Sequence, residues 1–309
     1  MLKTSFAHYA TAALLSLSAL SLLPATASAD ILVKHEQGEL TLEATPEKVF
    51  TYDYATLDDL DALGVPVAGV PNSVMPADLT AKLADNVIRI GSLFEPDYET
   101  VAAEQPDLVI VAGRSAPKYA ELAKIAPTID LTPDAEHLIE EAKKNLNTLG
   151  TIFGKEDKAK ELEAKLDRSV AALKAKAETA GTGMLVMTTG GKMSTFGDGS
   201  RFGYLFKDFG VKPADNHVQV GTHGEPVSFE YILKHNPDWL FVVDRDAAIG
   251  HDGQSAAQLL DNDIIHQTKA WKNGHIVYLN AANWYLVGGG ITALQTTVDN
   301  LTQAFDGAK

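Results

Sequence analysis

Three observations predict an α/β fold of two lobes, each with a central, mostly parallel sheet flanked by helices, joined by one long rigid helix. Short apolar, β-rich runs alternate with helical patterns along the chain. One long charged amphipathic helix lies near the middle. The halves on either side of it repeat each other.

The apolar runs cover 48–53, 65–70, 107–113, 184–189, 238–244 and 275–279. Runs this short between helical patterns indicate largely parallel sheets. The segment 156–180 contains no Gly or Pro and sets Ala159, Leu162, Leu166, Val170, Leu173 and Ala177 three or four residues apart on a helix otherwise rich in Lys and Glu. That spacing makes one apolar stripe, and Gly154 and Gly181 bound it. A continuous helix of this length spans about 35 Å at 1.5 Å per residue, enough for a strut. The expected layout is a leader at 1–29, an N-terminal lobe at 30–154, a connecting helix at 155–180 and a C-terminal lobe at 181–309.

The repeat is specific. Glu99, Pro106, Asp107 and Arg114 recur as Glu230, Pro237, Asp238 and Arg245, each pair 131 residues apart. A second echo pairs 60–65 with 206–211. Each lobe therefore carries a helix, a Pro-Asp turn, a buried strand and an Arg at that strand's C-terminal end. Ligands of open α/β sheets sit beyond those ends, so two facing ends make a cleft with Arg on both walls.

The leader has Lys3, an apolar run at 14–23 and the small-residue pattern Ala27-Ser28-Ala29, which places the new N-terminus at Asp30. The run is shorter than the ~20 residues a spanning helix needs. The chain has no cysteine, hence neither disulfides nor a Cys to carry a lipid anchor. An unanchored periplasmic monomer, not inserted in the membrane, is expected. The formal net charge is −15, and the leader holds one Lys and no acid. So acidic a surface argues against nucleic acid and anionic membranes as partners and makes clustered Arg informative.

Beside Arg114 and Arg245, the candidate site residues are Arg201 in the Gly-rich loop 197–203, His223 in 221–224, and Tyr285 just before Gly288-Gly289-Gly290. The flanking glycines give backbone freedom and let a bulky ligand approach. Arginine stays charged and offers planar donors to delocalised oxygen anions. Imidazole and phenolate suit ferric iron. A bare divalent ion is a poor match for three Arg; an anionic metal complex fits them. Trp284 reads as core. The loop at 197–203 lacks the Gly-Lys-Ser/Thr of a phosphate loop. No catalytic motif and no paired carboxylates beside the cleft point to an enzyme.

At these residues the chain resembles the cluster A-II (class III) siderophore-binding proteins of ABC importers, in the enterochelin-uptake and petrobactin-binding branch. The resemblance covers essentially all of the mature chain. It is carried by Asp53-Tyr54 with Leu57-Asp58, by 197–203, 221–224 and 241–245, and by Trp284 to Leu286. It implies two lobes with a shallow cleft between them and a ferric catecholate siderophore as ligand. Arg114, Arg201 and Arg245 match the basic triad that neutralises catecholate oxygens. His223 and Tyr285 match the protein ligands that complete the ferric sphere when the siderophore supplies only four donors. Glu99 and Glu230 match the acids that dock onto the inner-membrane ABC permease. No intrinsic cofactor is implied, since the iron arrives with its chelator. The lipid-anchor Cys of some relatives is absent. Haem or another metal chelate as ligand, and a siderophore esterase, are the alternatives.

Overall fold

The computed structural model describes residues 30–219, 221 and 223–307, so the leader read at 1–29 lies outside the described residues. An antiparallel hairpin, β1 (Ile31–His35) and β2 (Gly38–Leu42), opens the chain. Strands β3 (Val49–Thr51), β4 (Gly69–Val70), β5 (Ile88–Arg89), β6 (Leu108–Val111) and β7 (Thr128–Asp130) form a parallel sheet in the order β5-β4-β3-β6-β7. A second sheet gathers β8 (Thr182–Thr189), β9 (Lys192–Phe196), β10 (Lys212–Pro213), β11 (Glu225–Val227), β12 (Trp239–Asp244) and β13 (Ile276–Tyr278). Its order is β11-β9-β8-β12-β13, with β10 beside the start of β8; β9 runs antiparallel to both of its neighbours, β8 and β11, and the other pairings are parallel. All four residues of β6 are buried, as a continuous apolar run must be when helices cover both faces of a sheet. Each predicted run contains a strand.

The strut is the helix Glu156–Ala177, with Ala159, Leu166, Leu173 and Ala177 buried. One end lies along the helix Leu138–Phe153, where Lys143 pairs with Asp167 at 2.9 Å and Asn147 donates to Glu163 at 2.9 Å. A Cβ on Gly150 would stand 3.0 Å from that of Ala159, so glycine there sets the spacing. The other end passes Gly210, where an added Cβ would meet Lys174 Cγ at 2.7 Å.

The C-terminal helix Ile291–Gly307 makes a second crossing. The helix Tyr54–Ala62 holds its first turn: Asp59 accepts from the Ile291 amide at 2.8 Å, and Asp58 from Thr292 and Ala293 at 2.7 and 3.1 Å. These are amides a helix start leaves without intrahelical partners. At the far end Phe305 meets the Trp239 ring edge-on at 4.7 Å, beside β12 of the second sheet.

The repeat holds in atomic detail. The helices Tyr98–Glu104 and Phe229–His235 are capped by Asp97 and Ser228 and end on Gln105 (φ 47°) and Asn236 (φ 46°). Among the described residues these are the only non-glycines with positive φ. Asp107 then accepts from the Lys48 amide at 2.7 Å, and Asp238 from the Thr182 amide at 2.9 Å. The next strands, β6 and β12, aim Arg114 and Arg245 from equivalent slots.

Candidate cleft between the lobes

Tyr285 is the centre to which both lobes reach. It sits in a single π-helical turn, Asn283–Val287, which ends at Gly288. Such turns recur at functional sites, and a helix end leaves carbonyls short of intrahelical partners. The Tyr285 carbonyl accepts from Arg114 Nη2 at 2.7 Å and from Arg201 Nη2 at 3.1 Å. Arg245 Nε donates to the Tyr285 hydroxyl at 2.8 Å. The guanidinium carbons of Arg114, Arg201 and Arg245 lie 5.4, 5.0 and 5.2 Å from the centre of the Tyr285 ring, within reach of its π face.

Each arginine has its own support. Arg114 follows β6 in a turn closed by Ser115, whose hydroxyl bonds the backbone of Ala112. Arg201 lies in a loop after β9 where Ser200 donates to the Gly197 carbonyl at 2.6 Å. Arg245 begins the helix Arg245–Ala248, capped by Asp244, and its Nη1 donates to Thr189 Oγ1 at 3.2 Å. Asp246 fixes that threonine and the Gly190 amide in turn. Burial, and after it the positive charge of Arg114, push the Arg201 guanidinium down from its ordinary value. An arginine remains charged at neutral pH even so.

The cleft holds about 470 Å³ and is lined from one lobe by Asp53, Phe94 and Arg114 and from the other by Arg201, Tyr285 and Leu286. Four of the five expected residues meet at Tyr285, namely Arg114, Arg201, Arg245 and Tyr285 itself, with Arg245 reaching the tyrosine from outside the residues that line the cleft. His223 does not join them; it is exposed on the turn leading into β11 and is not among the residues lining this cleft. Glu99 and Glu230 are exposed at the starts of their matched helices. Trp284 is buried, stacked on Tyr204 at 4.8 Å.

Two expectations need correction. Carboxylates do flank the cleft, since Asp53 and Asp59 line it. Asp53 caps the helix Tyr54–Ala62 through Thr56, and Asp59 caps the C-terminal helix, so both are committed to backbone amides. The glycines at 203 and 290 serve close packing rather than ligand approach: a Cβ on Gly203 would lie 1.9 Å from the Asp198 carbonyl, and one on Gly290 2.6 Å from Asp58 Oδ2. The sequence offered no sign of Asp59 or Phe94 at the cleft, and Asp53 entered only as part of a stretch carrying the family resemblance. Asp53 had a signal, the Asp-x-x-Thr start of a helix.

Two α/β lobes, bridged by helices and divided by a cation-lined cleft, define a substrate-binding protein. The chain belongs to the periplasmic binding protein family, whose model matches residues 49–282. It is 41% identical over 286 residues to the petrobactin-binding protein YclQ of Bacillus subtilis, covering 91% of this chain and 90% of that protein. It is 34% identical over 281 residues to the ferric-anguibactin-binding protein FatB of Vibrio anguillarum, covering 89% and 87%. The crystal structure of YclQ matches with a TM-score of 0.86 over 90% of this chain and 99% of that one. That of the catecholate-siderophore binding protein VctP from Vibrio cholerae matches with a TM-score of 0.83 at 34% identity, over 89% and 99%. No helix among the described residues is long and apolar enough to cross a membrane.

Proposed function

We propose that this protein captures ferric catecholate siderophores in the inter-lobe cleft and hands them, chemically unchanged, to an inner-membrane ABC permease. The observation that carries this reading is the convergence of Arg114, Arg201 and Arg245 on Tyr285. Three permanent cations in one half-buried place repel one another, and an anionic ligand relieves that repulsion. A ferric catecholate complex offers several negative oxygens on one rigid body, each an acceptor for a planar guanidinium. Iron enters as part of the cargo. Tyr285 and His223 complete its coordination sphere when the chelator leaves positions open. The helical bridges limit closure of the lobes to a small motion. Glu99 and Glu230, exposed at equivalent helix starts, dock onto cationic pockets of the permease. The protein works in the periplasm as an unanchored monomer, released from its leader.

The test is titration of intrinsic fluorescence, to which Trp284 next to Tyr285 contributes. Ferric bis- and tris-catecholates should quench it with dissociation constants of roughly micromolar or tighter. Haem and a ferric hydroxamate should bind at least about tenfold more weakly. Equal response to all of them, or none to the catecholates, overturns the reading.

A further inference from the structure

Phe94 is a large apolar side chain left 57% exposed in the wall of the cation-lined cleft. A scattered surface phenylalanine needs no explanation. This one differs because its backbone is built into place. Ser92 Oγ accepts from the Phe94 and Glu95 amides at 3.2 and 2.9 Å, and the Ser92 amide donates to the Glu95 carbonyl at 2.8 Å. Below it Leu93 is buried, its amide bonded to Ser73 Oγ at 3.1 Å. Glu95 pairs with Lys118 at 2.8 Å, tying the turn to the segment that follows Arg114. The phenyl ring is thus presented, largely exposed, on a fixed loop in the wall of the cleft that Arg114 and Arg201 also line.

We infer that Phe94 is a specificity-determining residue, an aromatic platform on which an aromatic ring of the bound chelate lies while its oxygens face Arg114 and Arg201. This inference rests on the siderophore reading above and adds a selection that charge cannot make. Three guanidiniums accept any anionic chelate of suitable size, a ferric citrate complex included. A catecholate has acidic oxygens along one edge and an apolar π face at right angles to them. A wall combining cations with an exposed phenyl meets both surfaces at once, through offset or edge-to-face ring packing.

The experiment measures quenching by one ferric bis-catecholate for wild type, Phe94→Ala, Phe94→Leu and Phe94→Tyr, with the thermal midpoint of each as a folding control. The side chain is exposed and the turn is held by backbone and Ser92, so the midpoints should agree. Phe94→Ala should weaken binding roughly tenfold or more, Phe94→Leu about threefold, and Phe94→Tyr less than about twofold. If Phe94→Ala binds like wild type, the residue selects nothing. If Phe94→Leu binds like wild type, apolar bulk suffices and the platform is wrong. If wild type itself ignores the catecholate, the siderophore reading falls, and this inference with it.

Discussion

Arg245 donates from Nε to the hydroxyl of Tyr285 across 2.8 Å, joining an arginine at the end of β12 to a residue forty positions further on. The hydroxyl that would reach iron is thereby aimed, and its charge as phenolate would be balanced by the same guanidinium. Tyr285→Phe should alter the visible charge-transfer band of a bound tetradentate ferric bis-catecholate and weaken it by about tenfold or more. His223→Ala should shift the same band independently, because His223 stands outside the packed cluster. An unchanged spectrum in the double variant excludes direct coordination.

Arg201 is the arginine whose charge burial and Arg114 disfavour most clearly. Arg201→Met keeps much of the volume and removes the charge, so the ligand-free protein should melt at a higher temperature. The change removes a desolvation cost and the repulsion from Arg114, and the Tyr285 carbonyl keeps Arg114 as its donor. Affinity for a ferric catecholate should fall by about tenfold or more, and the salt dependence of binding should flatten. Paired melting and titration curves would check both.

Burial, and after it the charge of Asp58, hold the Asp59 carboxyl well above its ordinary value. A carboxyl raised on folding binds its proton more tightly in the native state, so stability falls as pH rises from ~4 through the raised value. Asp59→Asn keeps an acceptor for the Ile291 amide and removes the charge. It should flatten that slope and raise the melting temperature at neutral pH. Asp58→Ala should also flatten the slope, since it removes the charge that raises Asp59, but it should lower the melting temperature, costing about 1–2 kcal/mol by stripping the acceptor from Thr292 and Ala293. Denaturation at several pH values separates the two effects.

Gln105 and Asn236 occupy the same left-handed position in the two repeats, at different cost. Asparagine tolerates the conformation better than glutamine does. Asn236 also accepts from the Lys269 amide at 2.8 Å. Gln105→Gly should therefore stabilise by about 0.5–1 kcal/mol, while Asn236→Gly should change little, within about 0.5 kcal/mol. Chemical denaturation midpoints would show the asymmetry.

Glu99 and Glu230 lie outside the cleft, so Glu99→Ala with Glu230→Ala should leave siderophore affinity within about twofold of wild type. Siderophore-dependent growth of a strain carrying only this variant should nevertheless fail. Weakened ligand binding in the double variant would contradict the docking role.

Sequence periodicity carried the sheets and the strut because their burial is local and repetitive. The matched helices were legible at single residues where the duplication keeps the same type, at 99 and 230, 107 and 238, 114 and 245, whereas the caps at 97 and 228 and the left-handed ends at 105 and 236 differ in type and emerged only in the fold. The Asp58–Thr292 clamp left no such trace: its partners are 234 residues apart and neither looks unusual locally. The gathering of arginines on the Tyr285 carbonyl depends on one π turn that no spacing announces. His223 shared a chemical rationale with Tyr285, yet chemistry in a sequence has no coordinates, and the fold sets the two in different surroundings.

The clamp on the C-terminal helix also sets a time order. Made from its N-terminus, the chain produces Arg114 and Arg201 long before the segment carrying Tyr285 exists, and the contact at Thr292 closes one of the longest loops the sequence allows. Until that loop closes, the arginines have no common acceptor. Competence to bind thus arrives with the last stretch of chain, so ligand uptake doubles as a readout of finished folding.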